Sequence, residues 1–173
     1  MRGADPPPRG PHLPRPRHDL SWSFTAARTA GLVGCVRAEL GDPLGDIAIH
    51  NADYPTPEGP ISVEVALAWH THPYASEPQI HSFANLLRTD DGQHVDGLLD
   101  GIRAFLPRRT GKRRLGGLVA AVSVILADVH YGSPTRRSLA NSSARPAVKA
   151  ATLAALEAWA TRSPEAAASL RAR

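Results

Sequence analysis

The chain has 173 residues, 42% of them hydrophobic, and a formal net charge of +4 at pH 7. This length fits a single domain whose core buries about two thirds of the surface that the unfolded chain exposes. Its one cysteine, Cys35, excludes an internal disulfide, and no apolar run is long enough for a membrane span or a secretory signal, so a cytoplasmic protein is predicted.

The first residues are rich in proline and arginine. Six prolines lie between residues 6 and 16, and residues 1–18 hold four arginines against one aspartate, which is +3 of the net charge of +4. Proline removes backbone donors and disfavours helix. Residues 1–22 are therefore predicted to be a disordered or polyproline-like tail, and residues 23–173 to form the folded domain.

A helix is predicted to begin after Thr29, which can cap it, and to end at Gly41-Asp42-Pro43. Its apolar residues lie on one face; they are Leu32, Val33, Val36 and Leu40. Cys35 lies within this helix, and no histidine or cation is visibly placed to lower its pKa. It is therefore predicted to be a small buried hydrophobe without chemistry.

The middle of the chain predicts strands. Between Asp42 and Pro60, turn-forming residues leave room for at most one short strand, near Ile47 to Ile49. From Ile61 to Trp69, apolar residues alternate strictly with small or polar ones, as in a strand with one buried face. A second strand is predicted at about Ile80 to Leu87, and the two are predicted to form an antiparallel hairpin.

The second half of the chain adds helices and one more strand. Apolar residues at helical spacing predict an amphipathic helix from His94 to Leu106, weakened by Gly97 and Gly101. Leu118 to Ala127 is apolar on both faces and is predicted to be a central strand. Two further helices follow, marked by Val148, Leu153, Leu156 and Trp159 and by the start signal Ser163-Pro164-Glu165. These elements predict an α+β domain with a small mixed sheet packed with helices.

Five segments carry a resemblance to a known family. They are Ala30-Gly31-Leu32-Val33, Ser62-Val63-Glu64-Val65-Ala66-Leu67-Ala68-Trp69, Phe83-Ala84-Asn85, Asp91-Gly92-Gln93-His94 with Gly97-Leu98, and Tyr131-Gly132-Ser133-Pro134-Thr135-Arg136-Arg137. In this order, over residues 24–173, they resemble the transducer domain of DNA gyrase B and related type II DNA topoisomerases. The resemblance implies a ribosomal protein S5 domain 2-like fold.

The resemblance also implies a role for the loop after the predicted central strand. In the family, a Gln-Thr-Lys loop brings its lysine to the γ-phosphate of ATP held by a separate domain, and the matching residues here are Pro134, Thr135 and Arg136. Arginine keeps the positive charge but not the geometry of an ammonium group. Thr135 and Arg136 are predicted as γ-phosphate contacts of a degenerate loop. The family's complete enzyme uses ATP and Mg²⁺, whereas no catalytic residue, metal site or cofactor is assigned to this chain alone.

Several charged positions of the family are replaced. Leu115 and Gly116 stand where the family has Arg-Glu, and Ile125 stands where its strand carries a lysine. The hydrophobic skeleton therefore matches better than the charged positions do. This asymmetry indicates a retained fold with weakened or lost coupling to the nucleotide.

Two functions remain open at this stage. The first is a fragment or shortened paralogue of the ATP-hydrolysing topoisomerase subunit, with a gyrase-type ATPase domain as its partner. The second is a binding module, for DNA or for a gyrase subunit as a regulator or decoy. Five cations within residues 108–114 are the DNA-binding candidates, against the alternative of a solvated turn; they are Arg108, Arg109, Lys112, Arg113 and Arg114.

Histidines at short spacing raise the question of a zinc site, since imidazole binds zinc. They are His70, His72, His81 and His94. The family motif accounts for His94, and no cysteine or carboxylate pattern accompanies the others. No metal site is predicted.

Overall fold

The computed structural model describes residues 31–72, 77–106 and 115–173. Its strands are β1 (Ala48–Tyr54), β2 (Ile61–Trp69), β3 (Gln79–Ala84), β4 (Leu87–Thr89), β5 (Asp91–Gly92), β6 (Leu118–Ile125) and β7 (Ser138–Leu139). Its helices are α1 (residues 31–39), α2 (Gln93–Phe105), α3 (Ala144–Arg162) and α4 (Pro164–Ala172). The predicted tail, residues 1–22, and the predicted cap Thr29 lie outside the described residues.

Five strands form one mixed sheet in the order β1-β2-β6-β3-β4. β6 pairs in parallel with β3, and the other neighbours pair antiparallel. The predicted hairpin between β2 and β3 is wrong, because β6 lies between them. β6 is apolar on both faces and so gains most from a central position, which pairing of chain neighbours cannot show. The α+β class with a mixed sheet is confirmed.

Helices α2 and α3 cover one face of the sheet. The buried face of β2 runs from Ile61 to Trp69 and packs against residues of both helices, including Leu98 and Leu156. At one end of this core the rings of Trp69 and Trp159 lie 6.1 Å apart between centroids. This layer contains most of the buried apolar side chains in the described residues.

Helix α1 covers part of the opposite face. Its buried residues Leu32, Cys35 and Val36 pack on a second cluster of sheet residues, namely Ala66, Ala68, Phe83, Val119 and Ala121. Cys35 is buried, as predicted, and burial raises the pKa of its thiol. β2 is therefore buried on both faces near its end, although its alternation predicts only one buried face.

Two glycines bring α2 close to α3. A Cβ on Gly97 would lie 2.4 Å from the Arg145 carbonyl oxygen, and one on Gly101 would lie 2.6 Å from Thr152 Cβ. Helix propensity alone treats these glycines as weaknesses. The packing explains them, because a side chain at either position would push the helices apart.

β1 extends to Tyr54, well beyond the predicted Ile47 to Ile49. Its later residues are largely polar, and the strand forms the edge of the sheet, where pairing with β2 outweighs weak local propensity. The described helices include none that combines the length and the apolar character needed to cross a membrane.

Candidate functional site

The loop between β6 and β7 carries the residues singled out from the sequence. Pro134, Thr135, Arg136 and Arg137 at its tip are all exposed. The loop backbone turns back on itself. The Gly132 N–H donates to Ser138 O at 2.9 Å, and Tyr131 forms an isolated antiparallel β-bridge with Leu139. We refer to residues 131–137 as the arginine loop.

An asparagine fixes the point where the chain leaves the sheet. The Leu126 N–H donates to Asn85 Oδ1, and Asn85 Nδ2 donates to Leu126 O, both at 2.9 Å. Asn85 has a φ of 47°, a left-handed conformation that asparagine tolerates better than most residues. Because both polar atoms of its amide are used, the end of β6 is held to the turn after β3.

A second asparagine holds the far end of the same connection. Asn141 is only 4% exposed. Its Oδ1 accepts from the His130 N–H at 2.7 Å, and its Nδ2 donates to Asp128 O at 2.9 Å. The segment that leads into the arginine loop is therefore hydrogen-bonded to a buried side chain that lies just before α3.

The return side of the loop is attached to the start of α2. β5 pairs in parallel with β7, matching Asp91 to Ser138 and Gly92 to Leu139. Next to this pair, the Arg137 carbonyl oxygen accepts from the Asp90 N–H at 2.8 Å, and Arg137 Nε lies 2.6 Å from Asp90 Oδ2. The tip of the loop is therefore exposed. The connection at its base is hydrogen-bonded to the turn after β3, to Asn141 before α3 and to β5 before α2.

Arg136 differs from Arg137 in its charge partners. Among the residues that the structure describes, no carboxylate pairs with Arg136, and its guanidinium lies 6.0 Å from the centroid of the Tyr131 ring. Its φ is 56°, and its N–H donates to Ser133 O at 3.0 Å. A non-glycine residue in this region is uncommon and costs conformational energy. The backbone turn therefore holds a cation at the surface without neutralising it.

Thr135 lies beside Arg136 at the tip. Its Oγ1 is 2.9 Å from Ser133 Oγ. Two hydroxyls therefore meet on an exposed turn that also carries the Arg136 side chain. Hydroxyl and guanidinium groups both bind anionic oxygen well.

His94 lies in the core near the base of the loop. It is fully buried, its Nε2 is 2.8 Å from Thr89 Oγ1, and its Nδ1 has no hydrogen-bond partner within the described parts of the chain. Burial lowers the pKa of its imidazole to about 4. His94 is therefore neutral at physiological pH and contributes to packing at the start of α2.

The sequence also predicts a basic DNA-binding segment and raises the question of a metal site. The basic segment Arg108, Arg109, Lys112, Arg113 and Arg114 lies outside the described residues. No group of three or more metal-ligating side chains occurs in residues 31–72, 77–106 and 115–173.

The contacts that hold the loop are not predictable from the sequence. Phe83-Ala84-Asn85 and Asp91-Gly92-Gln93-His94 are recognisable as motifs, but the partners of Asn85 and Gly92 belong to distant segments. Nothing in the sequence indicates that Asn141 holds the loop, because an asparagine shortly before a helix is usually interpreted as a cap of that helix.

The family model described as DNA gyrase B matches residues 31–173. Similar solved structures include the 43K ATPase domain of Thermus thermophilus gyrase B in complex with an aminocoumarin (21% identity, TM-score 0.62, covering 82% of this chain and 41% of that chain). The topoisomerase IV ATP-binding domain of Francisella tularensis in complex with a small-molecule inhibitor is also similar (20% identity, TM-score 0.60, covering 82% and 40%).

A third similar structure is the B-subunit of the DNA gyrase from Myxococcus xanthus (22% identity, TM-score 0.58, covering 80% and 43%). The chain thus spans about two fifths of the length of these structures, and the likeness to them concerns the fold. No curated protein matches the sequence.

Proposed function

The chain belongs to the DNA gyrase B family over residues 31–173, and from this we propose that it acts as the transducer-type part of a type II topoisomerase ATPase subunit. In this role it relays the binding and hydrolysis of ATP, held with Mg²⁺ by a gyrase-type ATPase domain, toward DNA strand passage. We further propose that it works in the cytoplasm. Arg136 is its point of contact with the nucleotide.

The observation that carries this proposal is an unpaired cation on an anchored loop. Arg136 is exposed and has no carboxylate partner among the described residues, whereas its neighbour Arg137 is paired with Asp90. Positive charge held in place before the reaction stabilises the charge that develops on a phosphoryl group during transfer. An anchored Arg136 would supply such charge from outside the nucleotide-binding domain.

The anchoring of the loop also supports the relay. Its base is bonded to the end of β3 through Asn85, to the segment just before α3 through Asn141 and to the start of α2 through β5. A force on Arg136 is therefore passed to the sheet and to both helices of the main core. Through these hydrogen bonds, a contact made by Arg136 is converted into movement of the whole domain.

The sequence departures limit the strength of this contact. Pro134 offers neither a side-chain donor nor a backbone N–H, so it cannot replace the donor that a glutamine supplies. Arg136 keeps the charge but with a planar, forked donor geometry. We therefore propose a weaker coupling to the nucleotide than in a family member with the Gln-Thr-Lys loop.

The test is association in trans. The full chain is titrated into a separately expressed gyrase-type ATPase domain with and without a non-hydrolysable ATP analogue, and complex formation is measured by calorimetry. The proposal expects binding that strengthens when the analogue is present and weakens in Arg136→Ala. Lys149→Ala, which removes an exposed cation from α3, is the matched control and should bind like the parent chain. Binding that ignores both the analogue and Arg136 would contradict the proposal.

A second candidate is nucleic-acid binding through the basic segment 108–114. One structural observation favours it: Arg171 lies 4.5 Å over the ring of Phe105, at the end of α2 just before that segment. A further cation is thus placed beside the end of α2, which the basic segment follows in the sequence. Binding to duplex DNA should weaken steeply as salt rises, since it depends on phosphate contacts. No binding at low ionic strength would exclude this candidate.

A further inference from the structure

The first strand of the sheet has an open edge. β1 lies at one end of the strand order, and within residues 31–72, 77–106 and 115–173 no strand pairs with its outer side. An edge strand presents unpaired backbone N–H and C=O groups to any extended chain that comes alongside. Native edges are usually short or well charged, whereas β1 has seven residues and one formally charged side chain, Asp53. This edge is therefore a candidate for pairing with another chain.

A cleft of about 690 Å³ adjoins this edge. Its lining includes Val33 of α1, Arg162 at the end of α3, and Ile47 and Ile49 at the start of β1. Helices α1 and α3 pack on opposite faces of the sheet. A cleft that touches both helices therefore passes around the border of the sheet, beside the first residues of β1. We call it the β1 cleft.

One side of the β1 cleft is apolar. Ile49 is 50% exposed, although it lies in a strand and its cross-strand partner Ala66 is buried under α1. Val33, Leu40 and Ile47 also line the cleft, and each is only partly buried where it packs against the cluster under α1. Exposed apolar side chains that lie together mark interaction surfaces. The apolar side chains of an occupant would therefore contact the α1 side of the cleft.

The charges of the β1 cleft favour an acidic occupant. Arg37 and Arg162 are exposed in its lining, and neither has an ion pair within the part of the chain that the structure describes. Asp46 is the one acid among the described lining residues. Asp53, toward the other end of β1, accepts a hydrogen bond from Ser62 and does not line the cleft. Guanidinium groups bind carboxylates through paired hydrogen bonds, and complementary charge selects the partner.

We propose that β1 accepts an additional strand from a partner protein, namely an extended segment that carries both apolar and acidic side chains. The backbone of this segment pairs with the outer side of β1. Its apolar side chains contact Ile49, and its carboxylates bind Arg37 and Arg162. In strand addition of this kind, main-chain hydrogen bonds give affinity and alternate side chains give specificity. The inference does not depend on the proposed function, since the β1 cleft and the arginine loop share no residue.

Peptide binding to the full chain tests the charge requirement. The probe is a fluorescent, end-blocked peptide of seven residues, the length of β1, in which glutamate and valine alternate. Fluorescence anisotropy should show that it binds, and that a peptide with lysine in place of each glutamate does not. Combining Arg37→Gln with Arg162→Gln should weaken binding of the acidic peptide about tenfold, since two partly exposed ion pairs are lost. Lys149→Gln, an exposed cation of α3 outside the cleft lining, is the matched control and should bind like the parent chain.

Backbone pairing has a test of its own. A paired strand directs the N–H groups of alternate residues toward opposite edges. Methylating the peptide nitrogens of the odd or of the even residues therefore blocks one edge or the other, and one of these two peptides should lose binding while the other keeps it. Ile49→Asn should weaken binding of the acidic peptide. Leu87→Asn, at an exposed apolar residue of the opposite edge strand β4, should not.

Three results would overturn the proposal. The first is an acidic peptide that does not bind, or that binds no better than the lysine peptide. The second is equal binding of the two methylated peptides, which would show attraction by charge without an added strand. The third is a dimer in sedimentation that Ile49→Asn converts to a monomer, which would assign the edge to a second copy of the chain. Urea unfolding of each variant checks that its core is intact, and the peptide series tests the parent chain in any case.

Discussion

Gly92 lies in direct contact with the backbone of Leu139: a Cβ on Gly92 would stand 2.4 Å from the Leu139 nitrogen and 2.5 Å from its carbonyl oxygen. Gly92 also has a φ of 122°, which L side chains rarely adopt. This contact joins the start of α2 to the return side of the arginine loop. The position of Arg136 therefore depends on a glycine more than forty residues earlier in the chain.

We expect Gly92→Ala to destabilise the fold by about 2–4 kcal/mol, because both the backbone conformation and the contact with β7 oppose a side chain. The measurement is urea unfolding at equilibrium. Gly132→Ala is the matched control, since a Cβ there would meet its nearest atom only at 3.8 Å. Equal effects of the two substitutions would show that β5 and β7 do not pair closely.

Asn141 should matter more than an exposed asparagine. Its replacement by alanine leaves the His130 N–H and the Asp128 carbonyl without their side-chain partner, at a cost of about 1–3 kcal/mol. Hydrogen exchange should also become faster at the His130 amide. Asn51→Ala, at an exposed position, should change neither quantity. An unchanged exchange rate in Asn141→Ala would contradict the role of this side chain.

Stability should fall on mild acidification because of His94. Its pKa is about 4 in the folded chain, below the ordinary histidine value of 6.5. Between these two pH values the unfolded chain binds a proton that the folded chain does not, so unfolding is favoured. Above about pH 6.5, His94 causes no loss of stability. As the pH falls from there to about 4, the free energy of unfolding decreases progressively, by about 3 kcal/mol in total.

The check is a series of urea unfolding curves from pH 7 to pH 4, together with an NMR titration of the His94 ring. His81, whose pKa burial also lowers, should add to the same trend. His81→Gln therefore serves to separate the two histidines. A His94 ring that titrates near the ordinary histidine pKa would show that it is not buried as described.

The fold was predictable where one local pattern decides the structure. The alternation from Ile61 to Trp69 corresponds to β2, and the apolar run from Leu118 matches the central strand β6. The partner of each strand was not predictable, because hydrogen bonding between β6 and β3 depends on contacts far apart in sequence. Gly97 and Gly101 were interpreted from helix propensity alone, and their true reason is the close approach of α3.

Which residues form the candidate site stays a prediction from the sequence. The order of motifs indicates Thr135 and Arg136, and both lie at the exposed tip of one loop. Their anchoring was not predictable, since Asn85, Gly92 and Asn141 come together only in the folded sheet and helices. Whether Arg136 lacks a carboxylate partner is likewise a question of three-dimensional neighbours, which the sequence cannot answer.

The most direct test of the proposed relay is ATP turnover. A gyrase-type ATPase domain is held at fixed concentration, and its steady-state hydrolysis is measured as the full chain is added. We predict that turnover rises and saturates, that Arg136→Ala removes the rise, and that Lys149→Ala keeps it. Turnover that stays constant at every ratio, or that rises equally with Arg136→Ala, would contradict the relay through Arg136.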